Sequence, residues 1–272
     1  MANMRFSCQT YAWSMGGQGY LGRIDHIGKT IADAGFSAIE PNDNQLGAYE
    51  NPARLRECLQ GLGLELSSIC LVAEWLHPRE TEGERARADQ IIELTRHFPG
   101  AMLVLVQIPG GNRERLHERQ DALMRCAHDV ARRAAEKGLT CSYHPNSPTG
   151  SIWRTRQDYD RLLPRLDPGV LKWTPDVGHL AKADMDPLAM ILEYWELVNH
   201  FHFKDMLANG EWALMGEGAV DFEAIVRELV RREYDGWIVF EDECEDAAGD
   251  PDGVTLRDGI FIRDTVSGWL RG

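Results

Sequence analysis

Along the chain, short β-rich apolar runs alternate with longer stretches whose apolar positions return at steps of three and four residues, the spacing of one face of a helix. Strands are predicted at Arg5–Thr10, Ser37–Glu40, Glu65–Cys70, Met102–Ile108, Thr140–Tyr143, Leu171–Asp176, Val198–Phe203 and Gly236–Phe240, eight in all. Helices are predicted after them at Ile24–Ala34, Pro52–Gln60, Gly83–His97, Arg115–Lys137, Thr155–Leu166, Pro187–Glu193, Phe222–Arg231 and Leu256–Leu270. In the longest of these, Leu116, Leu123, Cys126, Ala127, Val130 and Ala134 share one face while Arg and Glu cover the other.

The joints repeat one another. Ala34-Gly35-Phe36, Gly61-Leu62-Gly63-Leu64 and Lys137-Gly138-Leu139 each stop a helix on glycine just before a strand begins. Strand and helix alternate from end to end without a linker or low-complexity tract, which predicts parallel βα units closed into a (β/α)8 TIM barrel, a single α/β domain over residues 1–272. A length of 272 residues is close to the about 250 usual for one such barrel.

Composition narrows the choice of partner. Acidic side chains number 43 against 29 basic ones, for a formal net charge of −14, and such a surface repels phosphate backbones and anionic lipid. Neither nucleic acid nor a membrane is therefore expected as a partner. The six cysteines form no C-x-x-C pair, and Cys8, Cys70 and Cys141 fall in strand runs. Met1 to Thr10 lacks a basic region followed by an apolar stretch, and no window approaches the roughly 20 apolar residues that span a bilayer. A reduced, cytoplasmic protein is expected.

Barrel enzymes build their active sites from the C-terminal ends of strands. Here the fifth strand runs into Tyr143-His144-Pro145-Asn146 and the sixth into Asp176-Val177-Gly178-His179; the seventh carries His202 before Phe203-Lys204-Asp205, and the eighth ends in Glu241-Asp242-Glu243. One such residue alone commonly caps the next helix. Four on successive strands of a closed barrel converge on one volume, and a divalent-metal site is the better account. Mixed imidazole and carboxylate donors suit Mn²⁺, Co²⁺, Zn²⁺ or Fe²⁺, and the lack of cysteine among them argues against a structural zinc. Glu40, ending the second strand, is a candidate contact for substrate hydroxyls, and Trp13, Trp75 and Trp153 are candidates to pack on the apolar face of a sugar. The acidic run from Glu241 to Asp252 reads as a solvated loop.

Asp176-x-Gly-His179, His202-x-Lys-Asp205, Gly216-Glu-Gly-x-x-Asp-Phe222 and Tyr234-Asp-Gly-Trp237 followed by Glu241 together resemble the xylose isomerase-like barrel superfamily, with Gly35-Phe36-x-x-Ile39-Glu40 a looser match. That superfamily includes ketose epimerases, hydroxypyruvate isomerase, inosose dehydratase and endonuclease IV. The run from Tyr143 to Gly150 is similar to a His-rich segment of inosose dehydratases. The resemblance implies a metal held by Asp176, His202 and Glu241, with His144 or, in reserve, Asn146 as fourth ligand. It implies Mn²⁺ foremost, with Co²⁺, Zn²⁺, Mg²⁺ or Fe²⁺ as the other candidates, and a dimer or tetramer. Endonuclease IV needs further His ligands after early strands, where this chain has Glu40-Pro41-Asn42 and Gln107-Ile108-Pro109, so DNA repair is not expected.

The expected substrate is a small carbohydrate, and the expected reaction an isomerisation or epimerisation that removes a proton next to a carbonyl, the enediolate being stabilised by the metal. Glu241 is the expected base and His144 a proton source. His179 and Lys204 hold substrate oxygens, and Asn146, Glu40 and Trp13 complete the binding set. Loss of an adjacent hydroxyl after the same first step would make the protein a dehydratase of an inosose or related keto-sugar. A barrel that binds sugar without turning it over is the third alternative.

Overall fold

The computed structural model describes residues 4–270. Its strands are β1 Arg5–Gln9, β2 Ala38–Glu40, β3 Glu65–Leu66, β4 Ser68–Ala73, β5 Met102–Gln107, β6 Cys141–His144, β7 Leu171–Trp173, β8 Phe201–Phe203, β9 Asp205–Met206, β10 Trp212–Ala213 and β11 Trp237–Phe240. The residues fall into two compact units, one of 4–67 with 200–270 and one of 68–199.

The first unit carries a five-stranded sheet in the order β3-β2-β1-β11-β8, parallel at every pairing. Ser7 lies beside Ala38 on one side and Val239 on the other, so the C-terminal ends of β1, β2, β11 and β8 share an edge. Helices Ile24–Asp33, Pro52–Leu62 and Pro251–Phe261 follow these strands, and the first packs on the other two. The second unit carries the parallel sheet β4-β5-β6-β7, extended by a bridge from Trp173 to Val198. Its long helices Glu82–Thr95 and Leu116–Glu136 pack together, and the apolar face read from the second of them is buried from Leu123 through Ala134.

All eight expected strands are present, with two changes that have local causes. The run from Glu65 to Cys70 is divided at Ser67: Glu65–Leu66 pairs with β2, whereas Ser68–Ala73 pairs with β5. Ser67 Oγ lies 2.7 Å from Ser7 Oγ and donates to the Ile39 carbonyl at 3.1 Å, which fixes the break in the first unit. The sixth strand stops at Trp173 rather than Asp176, since Pro175 has no N–H to offer a ladder.

The last helix starts at Pro251, N-capped by Asp250, five residues before the expected Leu256. The acidic run before it is not a bare loop, because it contains a short helix at Glu245–Gly249 whose Ala247 is buried. No helix among the described residues is long and apolar enough to cross a membrane.

The three glycine stops hold in detail: Gly35, Gly63 and Gly138 have φ of 91°, 70° and 79°. A Cβ on Gly35 would meet nothing within 4 Å, so a side chain there suffers only from the left-handed backbone. Gly35→Ala should therefore lower stability by about 1 kcal/mol, the left-handed penalty, seen as a Tm loss of about 2–4 °C; an unchanged Tm would contradict that backbone geometry.

Candidate functional site

In the first unit the site is built on a period of two. His200-Phe201-His202-Phe203-Lys204 sends its side chains to opposite faces of β8 in turn. Phe203 stacks on Phe222 at 5.1 Å between centroids and Phe201 meets Tyr234 edge-on at 5.0 Å, so one face is fixed in the core. The other face presents His200, His202 and Lys204, all buried.

β11 pairs with β8 so that Val239 lies beside His202 and Phe240 beside Phe203. The next residue, Glu241, donates its N–H to the Phe203 carbonyl at 3.0 Å and leaves the strand beside the imidazole. His202 Nδ1 is 2.7 Å from Glu241 Oε2, while its Nε2 is 2.7 Å from Glu40 Oε1. The second Glu40 oxygen lies 2.7 Å from His200 Nε2. Lys204 Nζ donates to Glu243 and stands 3.4 Å from Glu241 Oε2.

These contacts set the charges. Burial pushes the Glu40 carboxyl up, but the charge of His202 and hydrogen bonds from both imidazoles reverse this and hold it well below the usual range. Burial likewise disfavours the charged form of His202, yet Glu40 and Glu241 on its two sides overcome that and raise it to about 10. Just past Glu241, the buried Asp242 is pushed up to about 6, first by burial, and its partner Asp258 is pushed up further by burial and by the charge of Asp242. Asp205 organises backbone, accepting from the N–H groups of Met206, Gly216, Gly218 and Val220. A Cβ on Gly218 would lie 2.2 Å from an Asp205 oxygen, which accounts for glycine at that place in the motif.

In the second unit, β6 ends on His144 and β7 leads through Pro175 to Asp176. Asp176 caps the short helix Val177–Lys182, its Oδ1 accepting from the His179 N–H at 2.8 Å. The cap leaves Oδ2 turned to His144 Nε2, 3.3 Å away, with His179 Nε2 at 3.9 Å. Ser147 Oγ lies 2.8 Å from His179 Nδ1 and fixes that ring. His144, Asp176 and His179 are all buried.

Capping and ligation, posed as alternatives by the sequence, thus meet in one residue, since Asp176 caps with one oxygen and presents the other. Four expected contacts are otherwise engaged. Both Glu40 oxygens are on imidazoles and the residue is 0% exposed, so substrate hydroxyls do not reach it. Trp13 is 0% exposed, with its indole N–H on Asp252 at 2.7 Å, so its ring is core rather than a platform. Lys204 is held by Glu243 and Glu241, and the Asn146 amide donates to the Gln107 carbonyl at 2.8 Å. Sequence reading passed over His200, Ser147 and Glu243; the alternation of His200, His202 and Lys204 was the signal for the first.

A second set of donors lies within the first unit, where Glu40, His200 and His202 each bring an atom within 4.8 Å of the others. Glu40 lies at hydrogen-bonding distance from both rings, so this trio is closed on itself.

Comparison with known proteins follows the same lines. Residues 29–264 match the family model described as Xylose isomerase-like TIM barrel. An inosose dehydratase of Lacticaseibacillus casei is 29% identical over 153 residues, 50% of this chain and 51% of that protein. The chain spans about half the length of the curated relatives it matches. Among solved structures, the IOLI protein with a binding zinc atom superposes with a TM-score of 0.76 at 12% identity, covering 98% of this chain and 99% of that one. The probable 3-DHS dehydratase AsbF from Bacillus anthracis gives 0.72 at 18%, covering 96% and 99%. The fold is thus that of a TIM barrel.

The Asp242 and Asp258 pair makes stability depend on pH. Folding raises both carboxyls, so their contribution is fully present below the unfolded value near pH 3.9 and is lost as pH rises through about 6. Asp258→Asn removes one of the two buried charges and should raise Tm at pH 8 by on the order of 3 °C, and by less at pH 5. Equal shifts at the two pH values in thermal melts would contradict the assignment.

Proposed function

The chain belongs to the xylose isomerase-like TIM barrel family, and from that premise we propose that it is a divalent-metal-dependent lyase removing water from an inosose or a related keto-sugar. One observation carries the reading: at the C-terminal ends of neighbouring strands a buried imidazole stands beside a buried carboxylate, His202 with Glu241 and His144 with Asp176. The name inosose dehydratase, borne by relatives that match half of the chain, directs the choice of substrate. An isomerase or epimerase, placed first by the residues alone, shares the initial proton removal, but these relatives favour the dehydratase.

The proposed ligands are His144, Asp176, His202 and Glu241, in which two imidazoles and two carboxylates suit Mn²⁺, Fe²⁺, Co²⁺ or Zn²⁺. The donor chemistry fits such an ion, because all four are buried and three are already set by a second partner: Glu40 for His202, the helix cap for Asp176 and Lys204 for Glu241. The ion supplies Lewis acidity that polarises the substrate carbonyl and acidifies the neighbouring C–H.

Glu241 accepts that proton. Lys204 holds the carboxylate in place from 3.4 Å. His179, its ring fixed by Ser147, gives a proton to the hydroxyl on the next carbon, which departs as water while a C=C bond forms in conjugation with the carbonyl. The proton gained by Glu241 and the one lost by His179 are restored by exchange with solvent.

Incubation with Mn²⁺ and a panel of inososes and ketoses in D₂O tests the reaction class by mass. The expected product from an inosose is lighter by one water. Deuterium gained without loss of water would assign an isomerase and overturn the lyase, and tight sugar binding with neither change would leave a binding protein.

Glu241→Gln keeps an oxygen for the metal but cannot take the proton, so turnover should fall about 10²–10⁴-fold while most of the metal is retained. Metal analysis should give one Mn²⁺ per chain, lost from both Asp176→Asn and His202→Asn. An ion that survives either change contradicts the shared ligand set.

A further inference from the structure

Glu40 belongs to β2 and His202 to β8, and in the order β3-β2-β1-β11-β8 these strands are three steps apart. On a flat sheet three steps are about 14 Å at 4.7–4.9 Å each. The Glu40 oxygens nevertheless lie 2.7 Å from His202 Nε2 and 2.7 Å from His200 Nε2. The sheet of this unit is therefore curled, and Glu40 reaches over β1 and β11 on its inner side to grip both rings of β8.

All three residues are buried, Glu40 and His200 fully and His202 to within 1%. A buried carboxylate retained at this depth needs partners for both oxygens. It has them, and the consequence lies on the far edge of the His202 ring. With Nε2 committed to Glu40, the ring plane is set and Nδ1 is the nitrogen left facing Glu241 at 2.7 Å.

We propose that Glu40 is a positioning residue, which fixes the His202 ring from behind so that Nδ1 is presented as the metal-binding nitrogen, with His200 holding the free arm of the carboxylate. This inference rests on the metal reading given above. It assigns Glu40 neither to the substrate nor to a metal of its own, although Glu40, His200 and His202 together have the composition of a cation site.

The test uses Co²⁺ alone, with its visible absorption as reporter of ligand geometry. Glu40→Gln keeps the size but replaces one acceptor oxygen by an NH₂ group; Glu40→Asp keeps the charge but is one methylene too short to span both rings. Both should bind Co²⁺ about 10–100-fold more weakly than the wild type, with altered band position and intensity, while still melting cooperatively. Loss of stability alone, with Co²⁺ affinity and spectrum unchanged in both variants, would overturn the proposal.

Two Co²⁺ per wild-type chain, falling to one in Glu40→Gln with the affinity of the remaining ion unchanged, would make Glu40 a ligand and equally overturn it. His202→Asn separates this failure from that of the underlying reading. If it binds Co²⁺ as the wild type does, His202 is no ligand and the metal reading falls, whatever the Glu40 variants do.

Discussion

A carboxylate withdrawn from water must be answered by a positive or hydrogen-bonding partner, and at the strand ends of this protein histidine gives most of the answers. Glu40 is met by His200 and His202, Glu241 by His202, and Asp176 by His144. Each pair ties one strand to another, so the same contacts that satisfy the charges also fix the strand ends. His202 is the extreme case, raised to about 10 because a carboxylate stands on each side of a ring that burial alone would keep neutral. Removing one member would leave a charge buried without its counterpart, which is why these residues act as a set.

The surrounding chain serves that set. Phe201 and Phe203 lock β8 to the core on one face, and the register with β11 delivers Glu241 to the side of His202. Asp205 gathers four backbone N–H groups and so shapes the turn that follows Lys204. Asp176 divides its oxygens between a helix cap and His144, a double use made possible because the strand, Pro175 and the cap follow in immediate succession.

Much of this is legible in the sequence because it depends on period and punctuation. The order of strands and helices follows from alternation, the left-handed stops from Gly35, Gly63 and Gly138, and the pairing of His144 with Asp176 and His202 with Glu241 from their places at successive strand ends. What escaped depends on contacts between residues remote in the chain. Glu40 reads as a strand-end acid facing substrate, and only the curl of the sheet turns it onto rings 160 positions away. Trp13 reads as a loop aromatic until Asp252, 239 positions later, takes its N–H. Ser67 divides a run that looks continuous because its hydroxyl is claimed by Ser7 and Ile39. The helix at Glu245–Gly249 was hidden by acidic composition, since only the burial of Ala247 gives that segment a reason to fold.

The most direct measurement is an anomalous difference map from crystals of the full chain grown with Mn²⁺. The account predicts one peak per chain, bonded to His144, Asp176, His202 through Nδ1, and Glu241. A peak among Glu40, His200 and His202, or two peaks that each engage only one of the imidazole and carboxylate pairs, would contradict it.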